Sequence, residues 1–319
     1  MVNTIKDALG GRMKAYYEEA AKVRLIRRTP VVIRLDGKAF HTFTKGFRKP
    51  FDELLAKAMQ ATMKYLCENV QGCVLGYTQS DEITLVLIDY AKLETSAWFD
   101  CEVQKMASVS ASMATFAFNK HFNELYLDQL AEKGEADAYD LAYDAARRKG
   151  ALFDSRVFNV PKEEVANCLF WRQLDAERNS AQSLAQSLFG HRELQGLSSK
   201  ELIAKIEAEK GIVWGELPTA QKRGSCCVKD CWYTLDDGQN VRNKSHICYN
   251  GRSGEFYWDG DGFYFYATGM KDAQNCVFLS ARGVKLDVKE HSAWRVDENI
   301  PRFVGEGRRY VEELVFVGE

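Results

Sequence analysis

Two acidic positions, Asp36 and Asp81, stand at the ends of segments whose patterning would bring them to one place. Val31-Val-Ile-Arg-Leu-Asp36-Gly37 is an apolar, β-branched run ending in Asp-Gly, which reads as a buried strand presenting a carboxylate at its C-terminal edge. Tyr77-Thr-Gln-Ser80-Asp81-Glu82, followed by Ile83-Thr-Leu-Val-Leu-Ile88, reads as a β-hairpin whose turn is Gln79-Ser80-Asp81-Glu82. A first strand lying beside that hairpin would set Asp36 and Asp81 over one edge of a sheet. Two such carboxylates repel unless a proton or a divalent cation is shared between them, and Mg²⁺ is held by one or two carboxylates together with substrate phosphates. The pattern predicts a metal-bound nucleotide as substrate rather than a sugar or an ester.

Other residues near these segments suit the same chemistry. In a two-metal site, Asp36 and Asp81 would bridge both Mg²⁺ ions, and Gly37, lacking a Cβ, could add its carbonyl oxygen. Glu82 reads either as a third ligand acting through water or as an acid capping the hairpin. Lys49, at the expected start of a helix, and Lys105, on a second helix, are candidates for the phosphates. Phe40 and His41 follow the first strand closely enough to form a base pocket by stacking and edge contact, with no acid-base role for His41. Cys226, Cys227, Cys231, His246 and Cys248 have zinc-binding side chains, but their spacing fits no usual zinc pattern.

The composition limits the alternatives. A chain of 319 residues, 46% hydrophobic, holds one or two ordinary globular domains. No apolar run reaches the roughly 18 residues of a membrane span, and no signal-peptide pattern opens the chain, so a cytoplasmic protein with no membrane partner is expected. Nine cysteines without a Cys-x-x-Cys pair suit a reducing compartment. Net charge is −2, so phosphate affinity would rest on local clusters such as Arg24 to Arg28 or Arg147-Arg148-Lys149.

The elements that must position the acids follow from periodicity. Helix is expected from Thr4 to Arg27, ending before Pro30, and again from Pro50, whose first turn would carry Asp52 and Glu53. A second long helix is read from Ser96 to Asn119, then a helical stretch from Glu124 to Arg148, a strand from Asp154 to Val160, and helices over Glu163–Ser187 and Lys200–Glu209. The order β-α-β-β-α-β is the ferredoxin-like plan, and the acids on its first strand and central hairpin single out a polymerase palm, so the expected fold class is α+β, a ferredoxin-like polymerase palm with helical additions and a small β-rich C-terminal module. Residues 1–230 form the expected palm domain and 231–319 the module. Phe256 to Tyr266 alternates like a twisted hairpin.

Arg34-Leu-Asp36-Gly37-Lys38-Ala39-Phe40-His41, Phe47-Arg-Lys49-Pro50, Gly76-Tyr-Thr-Gln-Ser80-Asp81-Glu82, Phe153-Asp-Ser-Arg156 and Trp171-Arg-Gln173 together resemble the tRNA-His guanylyltransferase superfamily, and in particular its bacterial-type branch of 3′-to-5′ polymerases. The resemblance runs from about Val23 to Gly224, with a weaker echo at Trp294 to Pro301. It implies that Asp36, the Gly37 carbonyl and Asp81 bind two Mg²⁺, with Asp36, Asp81 and Glu82 as the catalytic acids. It further implies that Asp36, Gly37, Lys38, Ala39, Phe40, His41, Ser80 and Asp81 contact the nucleotide, with Lys49 and Lys105 at its phosphates. The implied reaction activates a tRNA 5′ end with ATP or GTP and then adds a nucleoside triphosphate through its 3′-hydroxyl; the implied assembly is a homo-oligomer, commonly a tetramer. Where the eukaryotic members carry His-Ile-Asn-Asn-Leu-Tyr-Asn, this chain has Glu177-Arg-Asn-Ser-Ala-Gln-Ser183, which favours templated 5′-end repair over dedicated G addition to tRNA-His. Glu102 also stands where the family often has a basic residue. Another palm enzyme, such as a cyclase or a conventional polymerase, and a non-catalytic RNA-binding protein are the competing expectations.

Overall fold

The computed structural model describes residues 2–234, 240–241, 245–249, 252–258, 263–267, 276–280 and 289–317, with side chains over 8–230 and 292–317. Contacts divide the chain into two compact units, Met1–Val228 with Val296–Glu319, and Lys229–Arg295. The last 24 residues therefore cluster with the N-terminal unit, whereas the expected module ran from 231 to the end.

In the first unit, helix α1 (Val2–Met13) passes through a π turn and a 3₁₀ turn that stop at Ala21. The expected helix to Arg27 is cut short because Arg24 bridges Glu102 and Leu25 N–H donates to the Cys101 carbonyl at 3.0 Å, which holds this stretch extended. Then follow β1 (Val31–Gly37), α2 (Phe40–Phe43), α3 (Glu53–Asn69), β2 (Cys73–Gln79), β3 (Glu82–Leu87), α4 (Val103–Lys133), α5 (Ala138–Lys149) and β4 (Phe153–Asn159). The strands neighbour one another in the order β2-β3-β1-β4, every pair antiparallel, which is the ferredoxin-like plan.

Two helix boundaries differ from expectation for local reasons. Helix α3 begins after Asp52, whose carboxylate accepts from Leu55 N–H at 2.9 Å as an N-cap, so Pro50 lies in the preceding loop. Helix α4 begins at Val103, because Phe99, Asp100 and Cys101 all have positive φ (48°, 52° and 58°), and it runs on for 31 residues. That absorbs the first part of the stretch expected from Glu124, and α5 restarts from a capping box at Asp137.

Alternation along the strands sorts the two faces of the sheet. Ile33, Leu35, Ile83 and Leu85 are fully buried on the face covered by α3 and α4, along with Ala58, Met63, Leu66, Ala114 and Phe118. Each large apolar side chain buried there contributes about 1.5–3 kcal/mol. The opposite face carries Arg34, Asp36, Glu82, Thr84 and Val86, with Leu75 and Tyr77 on β2. Helix α6 (Lys162–Leu188) and helix α10 (Arg309–Val315) cover its β2–β3 side, where Leu75, Tyr77 and Val86 pack with Val165, Leu169, Phe303 and Val311. Toward its Asp36 end the β4 side of this face is open: Asp154 and Arg156 keep side-chain exposures of 52% and 51%.

Between α6 and the sheet's last strand come α7 (His191–Leu194), α8 (Ser199–Lys210) and α9 (Thr219–Arg223), after which the start of β5 (Ser225–Thr234) pairs with β2. Gln173 of α6 secures the returning C-terminal segment: its amide donates to the Pro301 carbonyl at 2.9 Å and accepts from Phe303 N–H at 2.8 Å.

The second unit contains the remainder of β5, paired with β6 (Asn240–Val241), and an antiparallel sheet of β7 (Ser245–Tyr249), β8 (Arg252–Trp258), β9 (Phe263–Ala267) and β10 (Cys276–Ser280) in chain order, followed by β11 (Lys289–Asp297). The aromatic segment does form paired strands, with Phe256 opposite Phe265 and Tyr257 opposite Tyr264. Its turn and side chains lie outside the described residues.

Candidate active site

Strand register brings the two acidic segments together. Asp36 pairs with Glu82 on β3 and with Asp154 on β4, so three carboxylates form one cross-strand row. Residues directly opposite in such a row have Cβ atoms about 4.5–5.5 Å apart. Gly37 N–H donates to the Asp81 carbonyl at 3.0 Å, which ties the hairpin turn to the end of β1. The turn is the two residues Ser80 and Asp81, with Ser80 at φ +50°, a left-handed conformation that two-residue hairpin loops require and that costs a non-glycine residue some strain. Ala39, in the loop that follows Asp36, has φ +55°.

The four acids have different surroundings. Glu82 is buried and its Oε1 lies 2.7 Å from Arg172 Nε of α6; burial pushes its carboxyl up while Arg172 and Arg34 pull it down. Asp154 has Arg156 at 3.5 Å. Asp36 and Asp81 have no ion-pair partner among the described residues. Burial is the main influence raising the Asp81 carboxyl above its ordinary value; the charge on Asp36 adds to it, and the Asp81 backbone N–H and the Ser80 hydroxyl oppose it. Two half-buried carboxylates with no cation are the oxygen donors a hard divalent ion takes, and the Gly37 carbonyl lies at the same strand end. Among the described residues no cluster of three or more His, Cys, Asp or Glu side chains is placed to hold a metal, so such an ion would rest on this pair, backbone oxygen and its substrate.

One row further along the sheet, Arg34 lies opposite both Thr84 and Arg156. Arg34 Nε is buried without a hydrogen-bond acceptor, and its guanidinium sits 5.5 Å from the ring centre of Trp171, which also stacks on Arg172 at 4.1 Å. A row of cations thus borders the row of acids on the open half of the face. Sequence reasoning gave Arg34, Asp154, Arg156, Trp171 and Arg172 no roles of their own, although alternation along Arg34-Leu-Asp36 and Asp154-Ser-Arg156 would have put each Arg on the same face as its neighbouring acid.

The remaining expected residues divide. Lys38, Ala39 and His41 are exposed beside Asp36. The Phe40 ring is not available for base stacking, because it is 4% exposed and packed against Phe43, Phe118 and Phe153. Gly37 is required for that packing, since a Cβ there would run into the Phe40 ring. What Phe40 and His41 can offer is backbone: their first-turn N–H groups meet no acceptor among the described residues. Lys49 is exposed at this end of the sheet but not at a helix N-terminus, because the Asp52 carboxylate occupies that end of α3 and also accepts from Arg48 N–H and the Tyr143 hydroxyl. Lys105 is not brought to the site. It lies over the Phe99 ring in the first turn of α4, next to Met106, which shares a small cavity with Val31 and Leu87 at the opposite end of β1. Five residue-to-residue steps along the strand take Val31 to Asp36, about 17 Å at about 3.3 Å each.

Cys226 and Cys227 are both buried but on opposite faces, paired with Tyr77 and Gly76 respectively, so they cannot share one ion. Cys231, His246 and Cys248 lie outside the residues described to their side chains.

An antiparallel β2-β3-β1-β4 sheet with its two crossover helices, α3 and α4, on one face and carboxylates at the end of its central strands defines an α+β protein of the polymerase-palm class. A family model described as tRNAHis guanylyltransferase matches residues 10–161. A bacterial tRNA(His) guanylyltransferase (Thg1)-like protein solved in complex with ATP is 35% identical, with a TM-score of 0.68 over 97% of this chain and 100% of that one. A structure of such a bacterial protein with GTP gives 34% identity and a TM-score of 0.64 over the same shares. The tRNA(His) guanylyltransferase of Schizosaccharomyces pombe is 28% identical over 248 residues, 70% of this chain and 84% of that protein. The chain belongs to the tRNA-His guanylyltransferase family and is a nucleotidyltransferase. Among the described residues no helix is long and apolar enough to cross a membrane.

Proposed function

We propose that this enzyme adds nucleotides to the 5′ end of tRNA in the 3′-to-5′ direction, copying a template strand, after activating a 5′-monophosphate with ATP or GTP. The observation that carries the reading is the convergence of Asp36 and Asp81, two carboxylates without a cationic partner among the described residues, at the open end of the central strands. Two Mg²⁺ held by Asp36, Asp81 and the Gly37 carbonyl would lower the pKa of the attacking hydroxyl and offset charge on the triphosphate. The Ser80 hydroxyl beside Asp81 favours the charged form of that carboxylate. Backbone N–H groups of Phe40 and His41 supply donors for phosphate oxygens, with Lys38 and Lys49 as mobile cations at the same end. Arg34 and Arg156 on the neighbouring row attract the phosphates of the RNA end.

The amides and histidine of the eukaryotic block are replaced here by residues with other partners. Glu177 takes Arg302 at 2.9 Å and Arg223 at 3.8 Å, so the position joins α6 to the C-terminal segment instead of facing RNA. That supports base pairing, rather than a protein side chain, as the source of sequence choice.

The test is a 5′-monophosphorylated tRNA lacking its first nucleotide, incubated with Mg²⁺ and the four triphosphates. Addition of the nucleotide complementary to the opposing base, changing when that base is changed, is expected. Addition of G whatever the opposing base would refute the templated reading, and no extension at all would refute the reaction.

A further inference from the structure

Glu82 directly follows Asp81 and stands opposite Asp36 in the sheet, yet it makes its contacts away from both. Arg172 of α6 lies against its Oε1 in an ion pair whose two side chains are each 8% exposed, and the Thr84 hydroxyl is 3.5 Å from the same oxygen. Arg172 is itself fixed on three sides. Asp175 accepts from its Nη2 at 2.5 Å, the Trp171 ring lies 4.1 Å from its guanidinium carbon, and Glu82 stands 2.7 Å from Nε as an ion pair whose N–H is not aligned for a hydrogen bond. The sheet alone gives no reason for Glu82 to turn toward α6. With Cβ atoms about 5 Å apart, the Glu82 carboxylate is within reach of any cation that Asp36 binds.

We propose that Arg172 is a positioning residue of the active site: by holding Glu82 on the α6 side it keeps a third carboxylate off the ions and leaves Asp36 and Asp81 as the ligand pair. The inference rests on the proposed metal site and goes beyond it by assigning Arg172, an ion-pair partner of Glu82 and Asp175 and not of Asp36 or Asp81, control over how many acids the ions meet. Removing Arg172 would free Glu82 to join the metal site. An added carboxylate would bind a divalent ion more tightly and would change the ligand set the reaction uses, so affinity and rate would move in opposite directions. A merely structural ion pair would lose both together.

Metal affinity is read with Mn²⁺ as probe, by electron paramagnetic resonance in the presence of ATP and without RNA, and turnover is measured separately. Arg172→Gln is expected to tighten Mn²⁺ binding by about 3- to 10-fold while kcat falls about 10- to 100-fold, the range usual for residues that orient ligands, with KM for ATP within about twofold. Adding Glu82→Gln to that variant should restore Mn²⁺ affinity and most of kcat. Glu82→Gln alone, which keeps an oxygen for Arg172, should retain wild-type Mn²⁺ affinity, and this variant carries the test if Arg172→Gln does not fold. Weaker or unchanged Mn²⁺ binding in Arg172→Gln, no recovery in the double variant, or a loss of Mn²⁺ affinity in Glu82→Gln equal to that in Asp81→Asn would overturn the proposal. Wild-type protein that fails to extend RNA while this Mn²⁺ pattern holds counts against the reaction and not against Arg172.

Discussion

Replacing Asp81 by Asn should stabilise the metal-free protein and abolish its response to magnesium and nucleotide. The Asp81 carboxyl is raised above its ordinary value, by burial first and by the Asp36 charge as well. A raised folded pKa means that the fold prefers the neutral acid. Its stabilising contribution is complete below the unfolded value of about 3.9 and is lost as pH rises through the folded value. Asparagine is neutral throughout, so the advantage of Asp81→Asn should grow from about pH 4 upward and be full at neutral pH. Two like charges about 4 Å apart cost about 4 kcal/mol at an effective dielectric of about 20 and about 1 kcal/mol in bulk water, and the Asp36 charge is a lesser cause here than burial. The expected gain is therefore about 1–3 kcal/mol, or about 3 °C in melting temperature per kcal/mol. Magnesium with ATP at about a hundredfold excess over Kd should add about 2.7 kcal/mol to the wild type and almost nothing to the variant. Differential scanning fluorimetry in EDTA and in Mg²⁺-ATP, from pH 4 to 8, reads both effects. A variant less stable than wild type in EDTA at pH 8, or one stabilised equally by Mg²⁺-ATP, would refute the reasoning.

Other expectations follow from single contacts. Gly37→Ala drives a methyl group into the buried Phe40 ring and should cost about 1–3 kcal/mol in urea unfolding; an unchanged midpoint would show that the ring can move aside. Gln173→Ala leaves the Pro301 carbonyl and Phe303 N–H without their partner and should destabilise the protein by about 2–4 kcal/mol, with a loss below about 0.5 kcal/mol counting against the staple. Lys105→Ala should leave KM for ATP unchanged within about twofold, because Lys105 lies next to Met106 by the Val31 end of β1, a strand whose two ends are about 17 Å apart; a tenfold rise would return it to the phosphate site.

The site's acids were legible because strand alternation and turn chemistry are local properties. Val31 to Gly37 and the Ser80-Asp81 turn need no distant information to be read, and antiparallel pairing then fixes which of their residues share a row. Residues placed by helix direction were harder. Lys105 looks eligible only while α4 is imagined to begin at Ser96; the left-handed stretch Phe99 to Cys101 moves the start to the far end of the sheet. The Phe40 ring was hard to place for a related reason: an aromatic just after an acid-bearing strand fits a base pocket as well as a core, and only the rings of Phe43, Phe118 and Phe153 decide between them. Arg172 was invisible in its role because its partner, Glu82, is 90 residues away, and no pattern within either segment announces the pair.

The direction of synthesis follows most directly from where a labelled nucleotide enters RNA. Wild-type enzyme, Mg²⁺, ATP and the α-³²P triphosphate complementary to the template position should place label in the terminal 5′ nucleotide of a truncated tRNA, even when the 3′ end has been blocked by periodate oxidation, and Asp36→Asn and Asp81→Asn should place none. Label that enters only at an unblocked 3′ end, or incorporation by Asp81→Asn equal to wild type, would contradict the account.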